Sequence, residues 1–86
     1  MSKFDKLLQK IKQLDTGLRF AELKKVLLSY GYTLKFPRGG SSHATFRKDG
    51  YPPVTIPVHE PIKRIYILMV KEVIERIEDD ETDKEH

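Results

Sequence analysis

Residues 38–50 read RGGSSHATFRKDG, a glycine-rich turn followed by an alternating segment and a second turn signal. The alternation over residues 42–47 has the period of two that is typical of a β-strand. The side chains then divide between two faces, with Ala44 and Phe46 on one and His43, Thr45 and Arg47 on the other. An imidazole, a hydroxyl and a guanidinium therefore share one polar surface, and such groups suit phosphodiester chemistry near neutral pH.

Two further segments have the alternation of strands. Asp49 and Gly50 predict a hairpin into a strand over 54–58, and residues 51–53 are expected to lengthen that connection. Pro57 has no N–H group to donate, which predicts an edge strand or a bulge there. The inward positions are predicted to be Tyr32, Leu34 and Phe36 in the first strand, and Val54, Ile56 and Val58 in the third.

Three segments have apolar residues at helical spacing. They cover residues 2–14, residues 19–30 up to Gly31, and a last helix with Pro61 in its first turn. The stripe of that last helix consists of Ile62, Ile65, Tyr66, Met69, Val70, Val73, Ile74 and Ile77. It is typical of core packing, as are Tyr30 and Tyr66, although a coiled-coil seam is an alternative reading of the stripe.

The order of these segments predicts an α+β fold. A three-stranded antiparallel sheet cannot bury enough apolar surface alone, so the second and third helices are expected to cover its apolar face. The opposite face would then present Thr33, Lys35, His43, Thr45, Arg47 and Thr55 to solvent. His59 has the same strand parity as His43 and follows the third strand.

Charge divides the chain into a basic body and an acidic end. Residues 78–86 hold six acids and one lysine, a net −5, so residues 1–77 carry +8 of the total +3. This predicts a single domain over 1–77 and a disordered acidic tail over 78–86. A basic body favours a polyanionic partner such as nucleic acid, although lysine-rich helices can also be merely solvated.

Composition also narrows the cellular setting. The chain has no cysteine, and its charged N-terminus and lack of a long apolar run predict a soluble cytoplasmic protein with no membrane partner. Its three histidines are too scattered to predict a metal site or any other cofactor. A Ser42–His43 nucleophilic pair is not expected either, because adjacent strand residues point to opposite faces.

Several of these segments together resemble the HicA toxins, small endoribonucleases of toxin–antitoxin modules with a fold like a double-stranded-RNA-binding domain. The resemblance covers roughly residues 18–77. It rests on Arg19-Phe20 with Leu23, Tyr30-Gly31-Tyr32, Arg38 to His43 with Thr45-Phe46-Arg47, Val54 to His59, and Ile62-Lys63 with the helix that follows. The helix at 2–14 is an addition to that minimal fold, and two serines stand where the family often has one.

The resemblance implies an α-β-β-β-α domain that cleaves mRNA with His43 as the catalytic residue and without a metal or cofactor. It also implies a HicB-like antitoxin as protein partner. Phosphate contacts are expected from Lys35, Arg38, Arg47 and Lys48, and from the turn residues Gly40, Ser41 and Ser42. His59 is a possible second proton-transfer group if the end of the third strand lies near His43, and otherwise a capping or surface residue.

Two other functions stay open on the residues alone. One is a non-catalytic module that grips double-stranded RNA through its phosphates and 2′-hydroxyls. The other is a domain that binds only protein.

Overall fold

A computed structural model describes residues 3–36 and 42–83 of the chain. Three helices and three strands follow one another in the order α1 (Lys3–Lys12), α2 (Phe20–Ser29), β1 (Thr33–Lys35), β2 (His43–Lys48), β3 (Tyr51–Pro57) and α3 (Arg64–Asp83). The strands form one antiparallel sheet in the order β1-β2-β3. The predicted α+β class, with an additional N-terminal helix, is confirmed.

Strand β2 divides its side chains as the alternation predicts. Ala44 and Phe46 are fully buried, whereas His43 and Thr45 are half-buried and Arg47 is exposed. The polar face continues across the sheet, where the Oγ1 atoms of Thr45 and Thr55 lie 3.3 Å apart. Because α2 packs on β1 and α3 packs on β3, the helices cover the apolar face.

The hairpin between β2 and β3 is tighter than the sequence predicts. Asp49 and Gly50 alone form its turn, with Gly50 at a φ of 84°, and Tyr51 already pairs with Lys48. The expectation that residues 51–53 lengthen the connection is therefore wrong. Pro52 and Pro53 are tolerated inside the strand for two reasons. Strand β3 is an edge of the sheet, and a register shift between Phe46 and Lys48 interrupts the ladder opposite the two prolines.

The apolar stripe of α3 is shifted from the predicted one. The helix begins at Arg64, three residues after Pro61, so Pro61 is not in its first turn. Ile65 is 62% exposed, whereas Ile67, which the predicted stripe omits, is fully buried. The buried residues Ile67, Val70, Ile74 and Ile77 keep the 3-4-3 spacing, and Ile62 reaches the core from the connection before the helix.

The last residues of the predicted first and third strands do not point inward. Phe36 is 57% exposed and Val58 is 37% exposed. Strand β1 ends at Lys35 and β3 ends at Pro57, so both residues lie just beyond the ladder. Strand alternation sets side-chain direction only where the extended backbone continues, which is why the prediction fails at these two ends.

Helix α1 adds a second helical layer. Leu7 and Ile11 are its buried residues, and the helix packs against α2 and α3. Helix α2 ends where the sequence predicts, with Gly31 at a φ of 95°, a conformation that favours glycine.

The acidic end of the chain continues helix α3 through Asp83, where the charge run predicts disorder from residue 78. Three side-chain contacts explain the difference. The Tyr30 hydroxyl donates to Glu78 over 3.2 Å, the Lys12 ammonium lies 3.3 Å from Glu78, and the Tyr51 hydroxyl donates to Asp80 over 2.6 Å. Residues 84–86 lie outside the described part of the chain.

Candidate functional site

A cavity of about 340 Å³ lies at the end of the sheet where β2 begins and β3 ends. His43 and His59 line it, together with residues of the connection to α3. The complete lining is His43, Pro57, His59, Glu60, Pro61, Lys63 and Tyr66. Two histidines, a lysine, a glutamate and a tyrosine therefore border one small space.

The strand register brings the two histidines together. His43 lies opposite Pro57 in the β2–β3 ladder, and just beyond it the Val58 N–H donates to the Ser42 carbonyl over 2.6 Å. His59 follows two residues after Pro57, just beyond the end of β3, and it lines the same cavity as His43. His43 is half-buried and His59 is exposed. The condition set by the sequence analysis, that the end of the third strand lies near His43, is met.

Lys63 and Tyr66 also line the cavity, although the sequence predicts no role at the site for either residue. Lys63 and Tyr66 are three positions apart at the entry to α3, and the Tyr66 N–H donates to the Lys63 carbonyl over 3.0 Å. This single turn places both residues at the cavity. Tyr66 is half-buried and packs against the core with part of its surface. The prediction that Tyr66 is a core residue therefore holds for only part of its surface.

A second concavity, of about 300 Å³, lies on the polar face of the sheet, beside β1 and the end of β2. It is lined by Gly31, Thr33, Lys35, Arg47, Lys48 and Asp49. Lys35 and Arg47 are exposed there and are available to a polyanion. The predicted phosphate contacts of these two side chains are thus sterically feasible.

Lys48 has a structural contact of its own. Its ammonium donates to the Tyr30 carbonyl over 2.7 Å and lies 5.7 Å from the centre of the Tyr51 ring. A cation at the last carbonyls of a helix complements the negative end of the helix dipole. Lys48 therefore supports the end of α2, in addition to lining the second concavity.

The glycine-serine turn is only partly described. Arg38, Gly40 and Ser41 lie outside the described residues, and Ser42 is exposed at the start of β2. The predicted phosphate contacts of this turn stay predictions.

A third concavity, of about 410 Å³, lies between α1 and α2. Four lysines surround it, namely Lys3, Lys6, Lys10 and Lys25, with Leu7, Ala21 and Glu22. The sheet-facing residues of α2, such as Leu23 and Val26, are on the opposite side of the helix from Ala21 and Lys25. Lysine side chains surround this larger concavity, but no histidine lines it. The candidate catalytic site is therefore the smaller cavity of His43 and His59.

Within residues 3–36 and 42–83, no group of three or more histidines, cysteines or acids could hold a metal ion. No helix in these ranges is long and apolar enough to cross a lipid bilayer.

One comparison with known proteins identifies the family of this chain. A family model described as the HicA toxin of bacterial toxin-antitoxin matches residues 20–78, which includes the sheet, α2 and most of α3. Searches of curated proteins and of solved structures find no match to this chain. Because the family model spans well over half of the chain, the protein belongs to the HicA family and is the toxin of a toxin–antitoxin pair.

Proposed function

We propose that this toxin is an endoribonuclease that cleaves mRNA, with His43 as its catalytic residue. The observation that carries the proposal is the convergence of His43, His59 and Lys63 on one cavity at the edge of the polar sheet face. RNA supplies its own nucleophile, the 2′-hydroxyl. Cleavage then needs a base, an acid and positive charge beside the phosphate, and these three side chains provide that set.

The chemical step uses both imidazoles. The 2′-oxygen gives its proton to one imidazole and bonds to the adjacent phosphorus. The P–O5′ bond breaks as the 5′-oxygen takes a proton from the other imidazole. The products are a 2′,3′-cyclic phosphate and a 5′-hydroxyl, so the step balances without any additional reactant. Lys63 lies where it can offset the charge that builds up on the phosphate.

The rest of the substrate would follow the polar face of the sheet. Lys35 and Arg47 are exposed along it, and the guanidinium of Arg47 can contact a phosphate with two parallel hydrogen bonds. Thr33, Thr45 and Thr55 add hydroxyl groups to the same face. Contacts of this kind read the backbone of RNA and tolerate many base sequences.

The antitoxin partner is proposed to be a HicB-like protein that covers the cavity and the adjoining polar face. An antitoxin bound there would exclude RNA from His43 and also neutralise Lys35 and Arg47. We place both proteins and their mRNA target in the cytoplasm, where translation takes place.

Replacement of His43 by glutamine tests the proposal. Loss of a general acid–base group typically lowers the rate by about 100- to 10,000-fold. His43 lies on the solvent face of β2, so the variant should keep its fold, as surface changes usually stay within about 0.5 kcal/mol. The rate of cleavage of a defined RNA is measured on gels, with circular dichroism as the folding control.

His86→Gln is the matched control, because it makes the same substitution at the third histidine of the chain. Cleavage by this control, and by the wild type in EDTA, is expected to continue. Cleavage by His43→Gln at the wild-type rate would contradict the assignment, and so would loss of wild-type activity in EDTA. Salt-sensitive RNA binding by a wild type that never cleaves would instead favour a non-catalytic double-stranded-RNA-binding module.

A further inference from the structure

Tyr66 differs from the other tyrosines in what its hydroxyl group does. The hydroxyls of Tyr30, Tyr32 and Tyr51 donate to Glu78, to the Pro52 carbonyl and to Asp80, over 3.2, 3.3 and 2.6 Å. Each of these three phenols ties two parts of the fold together. Within the described residues, Tyr66 forms no such bond, and its side chain lines the cavity of His43 and His59.

The surroundings of Tyr66 suit a flat, uncharged group. It is the one phenylalanine, tyrosine or tryptophan among the described residues that line the cavity, and Pro57 and Pro61 add apolar walls. Tyr66 packs against the core with part of its surface, which holds the ring in place and lowers the entropy that a ligand would cost it. Lys63, one turn before it, supplies a cation for a phosphate next to that flat group.

A nucleotide has both of these parts. With the scissile phosphate between the two imidazoles, a base beside that phosphate comes within reach of Tyr66. Nucleobases stack on aromatic side chains with little dependence on sequence, because every base has a π-face. We propose that Tyr66 forms a nucleobase-binding subsite, on which a base that flanks the scissile phosphate stacks.

This subsite rests on the proposed function, since it assumes RNA in the cavity of His43. It assigns Tyr66 to substrate binding and not to proton transfer. The ring should therefore matter and the hydroxyl should not. Two variants separate these roles, because Tyr66→Phe keeps the ring and Tyr66→Leu keeps only an apolar side chain against the core.

Binding is measured first, in the His43→Gln background, with a short fluorescent RNA and its copies in which single nucleotides lack their base. We expect Tyr66→Leu to weaken binding of the intact RNA by about 5- to 150-fold, the factor typical of one base stacked on an aromatic ring. Tyr66→Phe should bind like the parent. Removal of the base at one RNA position should weaken binding to the parent protein by a similar factor. The same removal should not weaken binding to the Tyr66→Leu variant any further, because both changes delete the same contact.

Cleavage in the otherwise wild-type protein gives a second measure. Tyr66→Leu should raise KM more than it lowers kcat, and Tyr66→Phe should change neither by more than about twofold. Circular dichroism and thermal unfolding confirm that both variants fold.

Three results would overturn the subsite. The first is unchanged RNA binding by Tyr66→Leu, and the second is a loss of binding that is additive with Tyr66→Leu at every abasic position. The third is a fall in kcat for Tyr66→Phe equal to that for Tyr66→Leu, which would show that the hydroxyl takes part in the reaction. These results are separable from failure of the proposed function, because a wild type that binds RNA but never cleaves it would overturn the nuclease and leave the binding measurements in force.

Discussion

At the scale of single residues, two histidines acquire a joint role from their positions on paired strands. His43 opens β2, and His59 follows the end of β3, so 15 positions of sequence separate side chains that line one cavity. Strand parity predicts the polar side for both residues, although His59 lies beyond the end of β3. The pairing of His43 with Pro57 decides that they meet.

The first prediction is that one of the two histidines protonates the leaving 5′-oxygen. His59→Ala should lower cleavage by about 100- to 10,000-fold, comparable with His43→Ala, if the two share the proton transfers. An RNA with sulfur in place of the bridging 5′-oxygen should restore the rate of only one variant, because a thiolate leaves without a proton. That variant identifies the acid. Rescue of both variants or of neither would contradict a division into one base and one acid.

At the scale of elements, helix α3 is longer than its apolar stripe because aromatic hydroxyls hold its acidic end. The Tyr30 hydroxyl donates to Glu78, and burial of the phenol together with the negative charge of Glu78 raises the pKa of Tyr30 to about 12. The pKa of Tyr51 is also raised, mainly by the hydrogen bond of its hydroxyl to Asp80. These contacts join the end of α2 and the hairpin to the last turns of α3.

The second prediction concerns alkaline unfolding. The Tyr30 phenol loses its proton near pH 10 when unfolded and near pH 12 when folded, so the folded state binds more protons in between. The free energy of unfolding should therefore fall as the pH rises through this window, and its full contribution should be present below pH 10. Tyr30→Phe should make the fall less steep, and it should cost about 1 kcal/mol or less at pH 7 through loss of the hydrogen bond.

The free energy of unfolding is measured with denaturant at pH 9 and pH 11.5 for the wild type and for Tyr30→Phe. Subtracting one protein's change from the other's cancels the contributions of the groups that both proteins share. Tyr66→Phe is the control, because it deletes a hydroxyl that bonds to none of the described residues. A Tyr30→Phe protein with the same pH dependence as the wild type would show that the Glu78 contact does not hold the end of α3.

At the scale of the whole molecule, two basic surfaces lie on opposite sides of the protein. The polar sheet face carries Lys35 and Arg47, and the groove between α1 and α2 is surrounded by four lysines. Charge alone does not choose between them. The sheet face adjoins the cavity of His43, whereas the groove lies on the outer side of the helices, so we expect the substrate backbone on the sheet.

The third prediction follows from counterion release. Each phosphate contact contributes about −0.7 to the slope of log affinity against log salt on single-stranded RNA. Lys35→Gln/Arg47→Gln should therefore make the slope less steep by about 1.4, and should weaken binding at low salt more than at high salt. The measurement is a salt titration of RNA binding in the His43→Gln background.

Lys6→Gln/Lys10→Gln is the matched control, because it removes the same charge from the groove between the helices. Its slope should stay close to that of the parent. A larger change for the groove pair than for the sheet pair would place the RNA on the helical side of the molecule and contradict the proposed path.

Much of this fold follows from local sequence. The alternation of residues 42–47 predicts the two faces of β2, Asp49-Gly50 predicts the hairpin, and Gly31 predicts the end of α2, because each depends on neighbouring backbone conformations. The position of His43 on the polar face is predicted in the same way. These signals also carried the family resemblance.

Only the tertiary structure decided which distant residues meet. The β2–β3 register brought His59 to the cavity of His43, and the start of α3 at Arg64 placed Lys63 and Tyr66 beside them while it exposed Ile65 and buried Ile67. The contacts of Tyr30 and Tyr51 extended α3 into residues whose charge predicts disorder. Periodicity reports which side of an element is apolar, but the register of a ladder, the phase of a helix and the contacts of a charged end depend on partners far away in the chain.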